Sequence, residues 1–228
     1  MNDILDTNIE IRNEEVDGLG PWYWPVSDTG AWDGPKRDWE EYHKDRYFMS
    51  VRNFGTIISV GACCGMYVRH YAKKFKHVLA FEPDPLNFRC LVLNNSTDNI
   101  KFFNAAMGNQ VAQVHLKNDD KVNVGVHEVF RSYGPYDTQM LTIDSLELTE
   151  CDVIQMDVEG YEYPVLLGAL KTIEKFRPVI IAERNNSVEE TVKLMATLKY
   201  AAPVRSAADS VYAPLEFDHV QEVFLPQG

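Results

Sequence analysis

Two groups of residues in this 228-residue chain have the types and spacing to do chemistry. The first is Ile57-Ile58-Ser59-Val60-Gly61-Ala62-Cys63-Cys64-Gly65, an apolar run that enters a turn with glycines four apart. Glu82 follows at the end of the next apolar run, 21 residues after Gly61. Glycines at a helix entrance let a ligand approach the backbone closely, and a carboxylate at the end of the second strand accepts hydrogen bonds from two ribose hydroxyls. Order and spacing together favour an adenosine-containing ligand, although a Gly-rich turn by itself is more often just a turn. The second group is Asp157, Glu159 and Glu183, carboxylates at the ends of two later apolar runs. In an open α/β sheet the crevice lies at such ends, where a carboxylate can orient a hydroxyl or take its proton.

Each group has a bland counterpart. Asp157 and Glu159 could cap the helix that starts near Glu162, and Glu183 could pair with Arg184 or Arg177. Asp157 is the first choice for a base or acceptor-orienting residue, with Glu159 and Glu183 assisting; a metal shared by Asp157 and Glu183 finds no support in spacing alone, and none is expected. A dinucleotide fingerprint needs glycine where this chain has Cys63, which disfavours a pyrophosphate. S-adenosylmethionine carries no phosphate and a positive charge, and so suits the chain better. Around it the expected contacts are Ser59, Gly61, Ala62, Cys63, Gly65, Met66, Glu82, Pro83 and Asp157, with Asn104, Ala105 and Ala106 at the adenine edge or else in the sheet core. His43 and His127 have the side chain of a base, and Asn123 and Gly125 could reach an acceptor, but solvated or packed positions are the commoner fate of such residues.

The elements that must position these residues follow from periodicity. After Gly55, strands and helices alternate: strands at Thr56 to Val60, His77 to Phe81, Lys101 to Asn104, Asp152 to Met156 and Val179 to Ala182, with helices at Met66 to Lys76, Pro85 to Asn95, Glu162 to Phe176 and Ser187 to Tyr200. Such alternation predicts a doubly wound, mostly parallel sheet. Asp84 and Pro85 supply an N-cap and an N1 proline. Residues 110 to 143 interrupt the alternation with strands at Gln113 to Leu116 and Gln139 to Ile143, separated by a polar segment. Ser210 to Ala213 and Val220 to Leu225 read as a closing antiparallel hairpin. Asp144 reads as a turn-fixing residue.

Residues 1–54 form an extension ahead of the domain at 55–228. Its first 17 residues read as a frayed or partner-dependent segment, Gly18 to Pro35 as irregular backbone, and residues 39–51 as a helix. Trp22, Tyr23, Trp24 and Trp32, with Asp28 and Asp33, make either a packing strap or a lid that stacks on a sugar.

Composition sets the outer limits. Lys and Arg number 22 against 34 Asp and Glu, a formal charge of -12, with a pI near 4.9. That charge repels phosphate backbones and acidic membranes, so neither nucleic acid nor membrane is an expected partner. No apolar run is long enough to span a bilayer, and Met1-Asn2-Asp3 lacks the basic start of a signal peptide. Cys63, Cys64, Cys90 and Cys151 fit no disulfide framework or zinc spacing. A cytoplasmic protein with reduced thiols is expected.

From Thr56 to Ala213 the sequence resembles the FkbM family of S-adenosylmethionine-dependent methyltransferases. Four blocks carry the resemblance in order: Val60-Gly61-Ala62-Cys63-Cys64-Gly65; Ala80-Phe81-Glu82-Pro83-Asp84-Pro85; Thr142-Ile143-Asp144-Ser145-Leu146; and Gln155-Met156-Asp157-Val158-Glu159-Gly160 with a trailing Leu167-Gly168-Ala169. The chain departs from the family pattern at Ser59, Cys63 and Gln155, where Asp, Asn and Lys are usual. The resemblance implies a class I methyltransferase fold and O-methylation of a small-molecule or glycan hydroxyl. An NAD-dependent enzyme on a related fold and a non-catalytic nucleoside-binding module are the alternatives.

Overall fold

The computed structural model describes residues 7–13, 19–29, 48–117, 128–130, 138–184, 188–206 and 209–217. In chain order its strands are β1 (Ile9–Arg12), β2 (Trp22–Pro25), β3 (Thr56–Val60), β4 (His77–Phe81), β5 (Ile100–Phe103), β6 (Ala106–Met107), β7 (Ala112–Lys117), β8 (Glu128–Phe130), β9 (Thr138–Leu141), β10 (Val153–Met156), β11 (Val179–Glu183), β12 (Val204–Ser206) and β13 (Asp209–Tyr212). The helices are α1 (Met66–Lys74), α2 (Pro85–Asn94), α3 (Glu162–Leu167), α4 (Leu170–Phe176) and α5 (Val188–Thr197).

Every residue of β3 and β10 is buried, as apolar runs covered on both faces must be. They form the centre of a seven-stranded sheet of order β12-β13-β11-β10-β3-β4-β5, parallel from β11 to β5 and closed by the antiparallel β12-β13 hairpin. Alternate residues go to opposite faces. Ile58, Val60, Ile154 and Met156 pack with Val165 and Leu166 of α3, Ile173 of α4 and Met195 of α5. Ile57, Val78 and Val153 pack with Val68 and Tyr71 of α1 and Leu91 of α2. Each such buried aliphatic side chain contributes roughly 1.5–3 kcal/mol over exposure, so the two layers hold the frame. From β3 the chain winds outward through β4 and β5, then returns to β10 on the other side of β3. The reversal between β3 and β10 puts a ligand crevice outside their carboxyl ends.

Five expectations are corrected. The segment from Glu162 to Phe176 is two helices, α3 and α4, because it breaks at Gly168, where a Cβ would overlap the Gly108 carbonyl. The 110–143 interruption holds three strands of a four-stranded sheet of order β6-β9-β7-β8, with β6 just ahead of it; β6 and β8 are beyond those expected, and both are too short to show a period. Ile143–Leu146 is a 3-10 turn rather than strand end. The hairpin partner of β13 is β12, on its amino-terminal side; Val220 to Leu225 lie outside the described residues.

The amino-terminal extension is the fifth. Ile9–Arg12 and Trp22–Pro25 are neither frayed nor irregular but pair as an antiparallel ribbon. Ile9, Trp22 and Trp24 share an apolar cluster with Cys64, Met66 and Cys90, which rewards ordering of a short segment. Of the helix expected over 39–51, residues 48–50 form a turn and 39–47 lie outside the described residues.

Candidate active site

The first strand ends in a bend that only particular residues can make. Gly61 and Gly65 have φ of 77° and 82°, and Cys63 adopts a left-handed φ of 46°. A Cβ on Gly61 would overlap the Asp157 carbonyl oxygen and lie 2.9 Å from its carbonyl carbon, so β3 and β10 can come together only over glycine. The Gly61 and Ala62 N–H groups both donate to the Phe81 carbonyl, at 3.0 and 2.9 Å, which ties the bend to the end of β4.

Glu82 follows directly. Its Oε2 accepts from the Cys63 N–H at 2.8 Å and its Oε1 from the Asp84 N–H at 2.9 Å. Burial pushes this carboxyl up to about 8, although both amides pull the other way. Among the described residues each oxygen accepts one bond, so each keeps a second acceptor site. Two oxygens with one open site apiece match the two hydroxyls of a ribose, and the residues present therefore fit the nucleoside of S-adenosylmethionine. Asp84 caps α2 by accepting from Leu86 and Asn87 N–H groups, both at 2.9 Å. Asn104 donates to the Glu82 and Pro83 carbonyls at 2.8 and 3.0 Å and so fixes the segment that carries the carboxylate.

The departures from the family pattern have local explanations. Ser59 and Gln155 face each other in the β3-β10 register, and the Ser59 hydroxyl donates to Gln155 Oε1 at 2.7 Å. These two neutral side chains thus satisfy one another across the buried centre of the sheet. At Cys63 the group that meets Glu82 is the backbone N–H, which any residue but proline provides.

The second group converges as expected and grows. Asp157 follows β10, its N–H donating to Val60 at 3.0 Å. Oxygens of Asp157, Glu159 and Glu183 all lie within 4.8 Å of one another, a spacing that would also admit a divalent cation. Burial first, then the charges of Glu183 and Glu159, raises Asp157 well above the ordinary carboxylate range. Glu183 is raised by burial and by Glu159 to about 7, and is drawn back by a hydrogen bond with Asp157. Carboxylates this close cannot all be charged cheaply, so the cluster holds on to a proton more tightly than an isolated carboxylate does. Two further carboxylates are near: Asp209, opposite Glu183 in the β11-β13 register, and the buried Glu162, whose Oε1 accepts from the Val158 N–H at 3.1 Å. Neither was legible as a site residue, Glu162 because it begins a helix and Asp209 because its hairpin partner was misplaced. The Tyr71 phenol, buried on α1, is raised by burial and by the charges of Asp209 and Asp157.

Other candidates part company. Trp22 and Trp24 are 1% and 5% exposed and Asp28 is buried, so none of them can stack on or bind a sugar. Trp24 Nε1 donates instead to Asp28 Oδ2. Ala106 belongs to the core of the smaller sheet with Val114 and Met140, and Ala105 is buried beside it. Asp144 accepts from the Thr172 N–H and hydroxyl, both at 2.8 Å, and from the Lys171 N–H at 3.1 Å, a cap on α4. Trp32, Asp33, His43, Asn123, Gly125 and His127 lie outside the described residues.

A parallel sheet with its switch point at β3 and β10, helices on both faces and an antiparallel closing hairpin defines a class I methyltransferase fold. A profile described as the methyltransferase FkbM domain matches residues 59–202, and the chain belongs to that family. Among solved structures, methyltransferase FkbM from Methylobacillus flagellatus KT is 17% identical with a TM-score of 0.52, covering 77% of this chain and 52% of that one. The chain thus spans about half the length of that protein, and the likeness speaks for the fold. TYW2 of M. jannaschii, solved in complex with AdoMet, is 14% identical with a TM-score of 0.47, covering 91% of this chain and 87% of that one. No curated protein matches the chain. Among the described residues, no helix is long and apolar enough to cross a membrane.

Proposed function

We propose that the chain is an S-adenosylmethionine-dependent O-methyltransferase acting on a hydroxyl of a small-molecule or glycan acceptor. The cofactor supplies an electrophilic methyl group. Glu82 accepts the ribose hydroxyls, and the bend from Gly61 through Ala62, Cys63 and Gly65 to Met66 receives the rest of the nucleoside and its amino-acid arm, with Pro83, Asn104 and Ala105 beside the base.

The observation that carries the acceptor class is the cluster of Asp157, Glu159 and Glu183, whose oxygens lie within 4.8 Å of one another. A hydroxyl must lose its proton as it attacks, and Glu183, raised to about 7, is a stronger base than an ordinary carboxylate while still ionised near neutrality. Asp157 donates to Glu183 and orients it; Glu183 takes the proton; Glu159, Asp209 and Glu162 keep the pair's affinity for protons high. This reading gives the base role to Glu183, where the sequence alone favours Asp157 as base or acceptor-orienting residue. With Trp22, Trp24 and Asp28 buried, a saccharide preference rests on the family alone. The net charge of -12 supports an acceptor other than nucleic acid, and four cysteines that form no disulfide among the described residues are in keeping with a reducing, cytoplasmic setting.

The test is transfer of a labelled methyl group from S-adenosylmethionine across a panel of sugars, phenols, carboxylic acids and amines. Label on hydroxyl acceptors is the expected result. Label on amines alone would overturn the hydroxyl assignment, and label on none with tight cofactor binding would favour a binding module.

A further inference from the structure

The β1-β2 ribbon precedes the family-matched residues yet holds the nucleoside bend from behind. In the register of the ribbon Tyr23 opposes Ile11, and its peptide groups turn outward, where Asn94 meets them as a neighbouring strand would. Asn94 Oδ1 accepts from the Tyr23 N–H at 2.7 Å, and its Nδ2 donates to the Tyr23 carbonyl at 2.9 Å and to the Cys64 carbonyl at 2.8 Å. One buried amide thus clamps the ribbon to the bend. Beside it, Asn95 Nδ2 donates to the Gly65 carbonyl at 3.0 Å and the Leu91 carbonyl at 2.8 Å. The Asn94 carbonyl in turn accepts from Arg69 Nε at 2.7 Å, and the Arg69 guanidinium lies 3.9 Å from the centre of the Trp22 ring.

These bonds set peptide planes. In a trans peptide the N–H points opposite to the preceding carbonyl. Holding the Cys64 carbonyl on Asn94 directs the Gly65 N–H to the Ala62 carbonyl, which accepts it at 2.9 Å and closes the bend. Holding the Gly65 carbonyl on Asn95 aims the Met66 N–H away from α2. The packing of Ile9, Trp22 and Trp24 on Cys64, Met66 and Cys90 keeps both asparagines dry and their bonds strong.

We propose that the ribbon is a working part of the cofactor site, with Asn94 as the positioning residue that couples Tyr23 to Cys64, so that nucleoside binding and ribbon docking reinforce each other. The proposal rests on the reading of the bend as the nucleoside site. Coupling between two sites is reciprocal. A ligand in the crevice must therefore steady a ribbon that lies behind the bend, and loosening the ribbon must weaken the ligand.

Hydrogen exchange and calorimetry on the full chain with S-adenosylhomocysteine test both directions. In the wild type, saturating ligand is expected to slow exchange of the amides over 19–25 by at least about ten-fold, Tyr23 included. Asn94→Ala leaves the Cys64 carbonyl without its donor and is expected to weaken Kd by about ten-fold, to raise KM for S-adenosylmethionine with little change in kcat or in KM for the acceptor, and to abolish the exchange response. Should Asn94→Ala not fold, the wild-type exchange result decides. Ligand binding without slowed exchange over 19–25, or an Asn94→Ala protein that binds as tightly as wild type, overturns the coupling and leaves the site intact. A wild type that does not bind the ligand at all removes the site reading and the coupling with it.

Discussion

Glu82→Gln separates the charge of this side chain from its shape. In the wild type the buried carboxyl sits at about 8, so at pH 7 roughly one molecule in eleven carries the carboxylate. A vicinal diol donates two hydrogen bonds, which the carboxylate can accept at both oxygens and the acid cannot. Binding of S-adenosylhomocysteine therefore draws a proton off Glu82, and affinity must rise with pH, roughly eight-fold between pH 6.5 and 7.5, and level off above pH 8. The glutamine keeps one acceptor oxygen and loses a charge-assisted bond of about 2 kcal/mol, so Kd at pH 8 should weaken roughly thirty-fold and lose its dependence on pH over this range. Titration calorimetry in buffers of different protonation heat reads both quantities: about one proton released per wild-type site at pH 7 and none from the variant. A wild type whose affinity ignores pH, or a variant with the wild-type slope, would refute the assignment of Glu82 to the diol.

Three further outcomes follow from the same geometry. Glu183→Gln is expected to lower kcat on the order of 10²- to 10⁴-fold, with a smaller loss for Asp157→Asn, which still donates to Glu183. Equal losses, or no loss at all, measured with cofactor binding intact, would break the division of roles. Wild-type turnover should climb as pH rises through about 7, because Glu183 must be ionised to take a proton; a rate that falls over that range contradicts it. Glu82 also links stability to pH. Its folded pKa of about 8 exceeds the ordinary value of 4.5, so the folded state keeps a proton that the unfolded chain has released, and stability falls as pH rises from about 4.5 to about 8. Thermal melts of the wild type should show that decline, and Glu82→Gln should flatten it.

The frame was legible because its strands are buried on both faces and its helices carry clear stripes. Thr56 to Val60, His77 to Phe81 and the Asp84-Pro85 start of α2 appear in the structure within a residue or two of where periodicity places them. The bend and Glu82 were legible for the same reason: their chemistry is local, a left-handed glycine and a strand-end acid. What escaped the sequence depends on distant partners. Gly168 interrupts a helical stripe only because Gly108 packs against it. Asp209 joins the carboxylates through the β11-β13 register, which a four-residue strand makes with a partner far away in the sequence. Residues 9–12 become a strand because Trp22 and Trp24 have an apolar face of Cys64, Met66 and Cys90 to cover. Trp22-Tyr23-Trp24 does have the alternation of a half-buried strand, but the surrounding glycines and prolines obscured it.

The crevice beside Gly61 and Glu82 is tested most directly by a crystal structure of the protein with S-adenosylhomocysteine. The ribose hydroxyls should lie within hydrogen-bonding distance of the two Glu82 oxygens, with the sulfur facing the Asp157–Glu183 carboxyls. Density for the nucleoside elsewhere, or none at saturating ligand, would contradict the account.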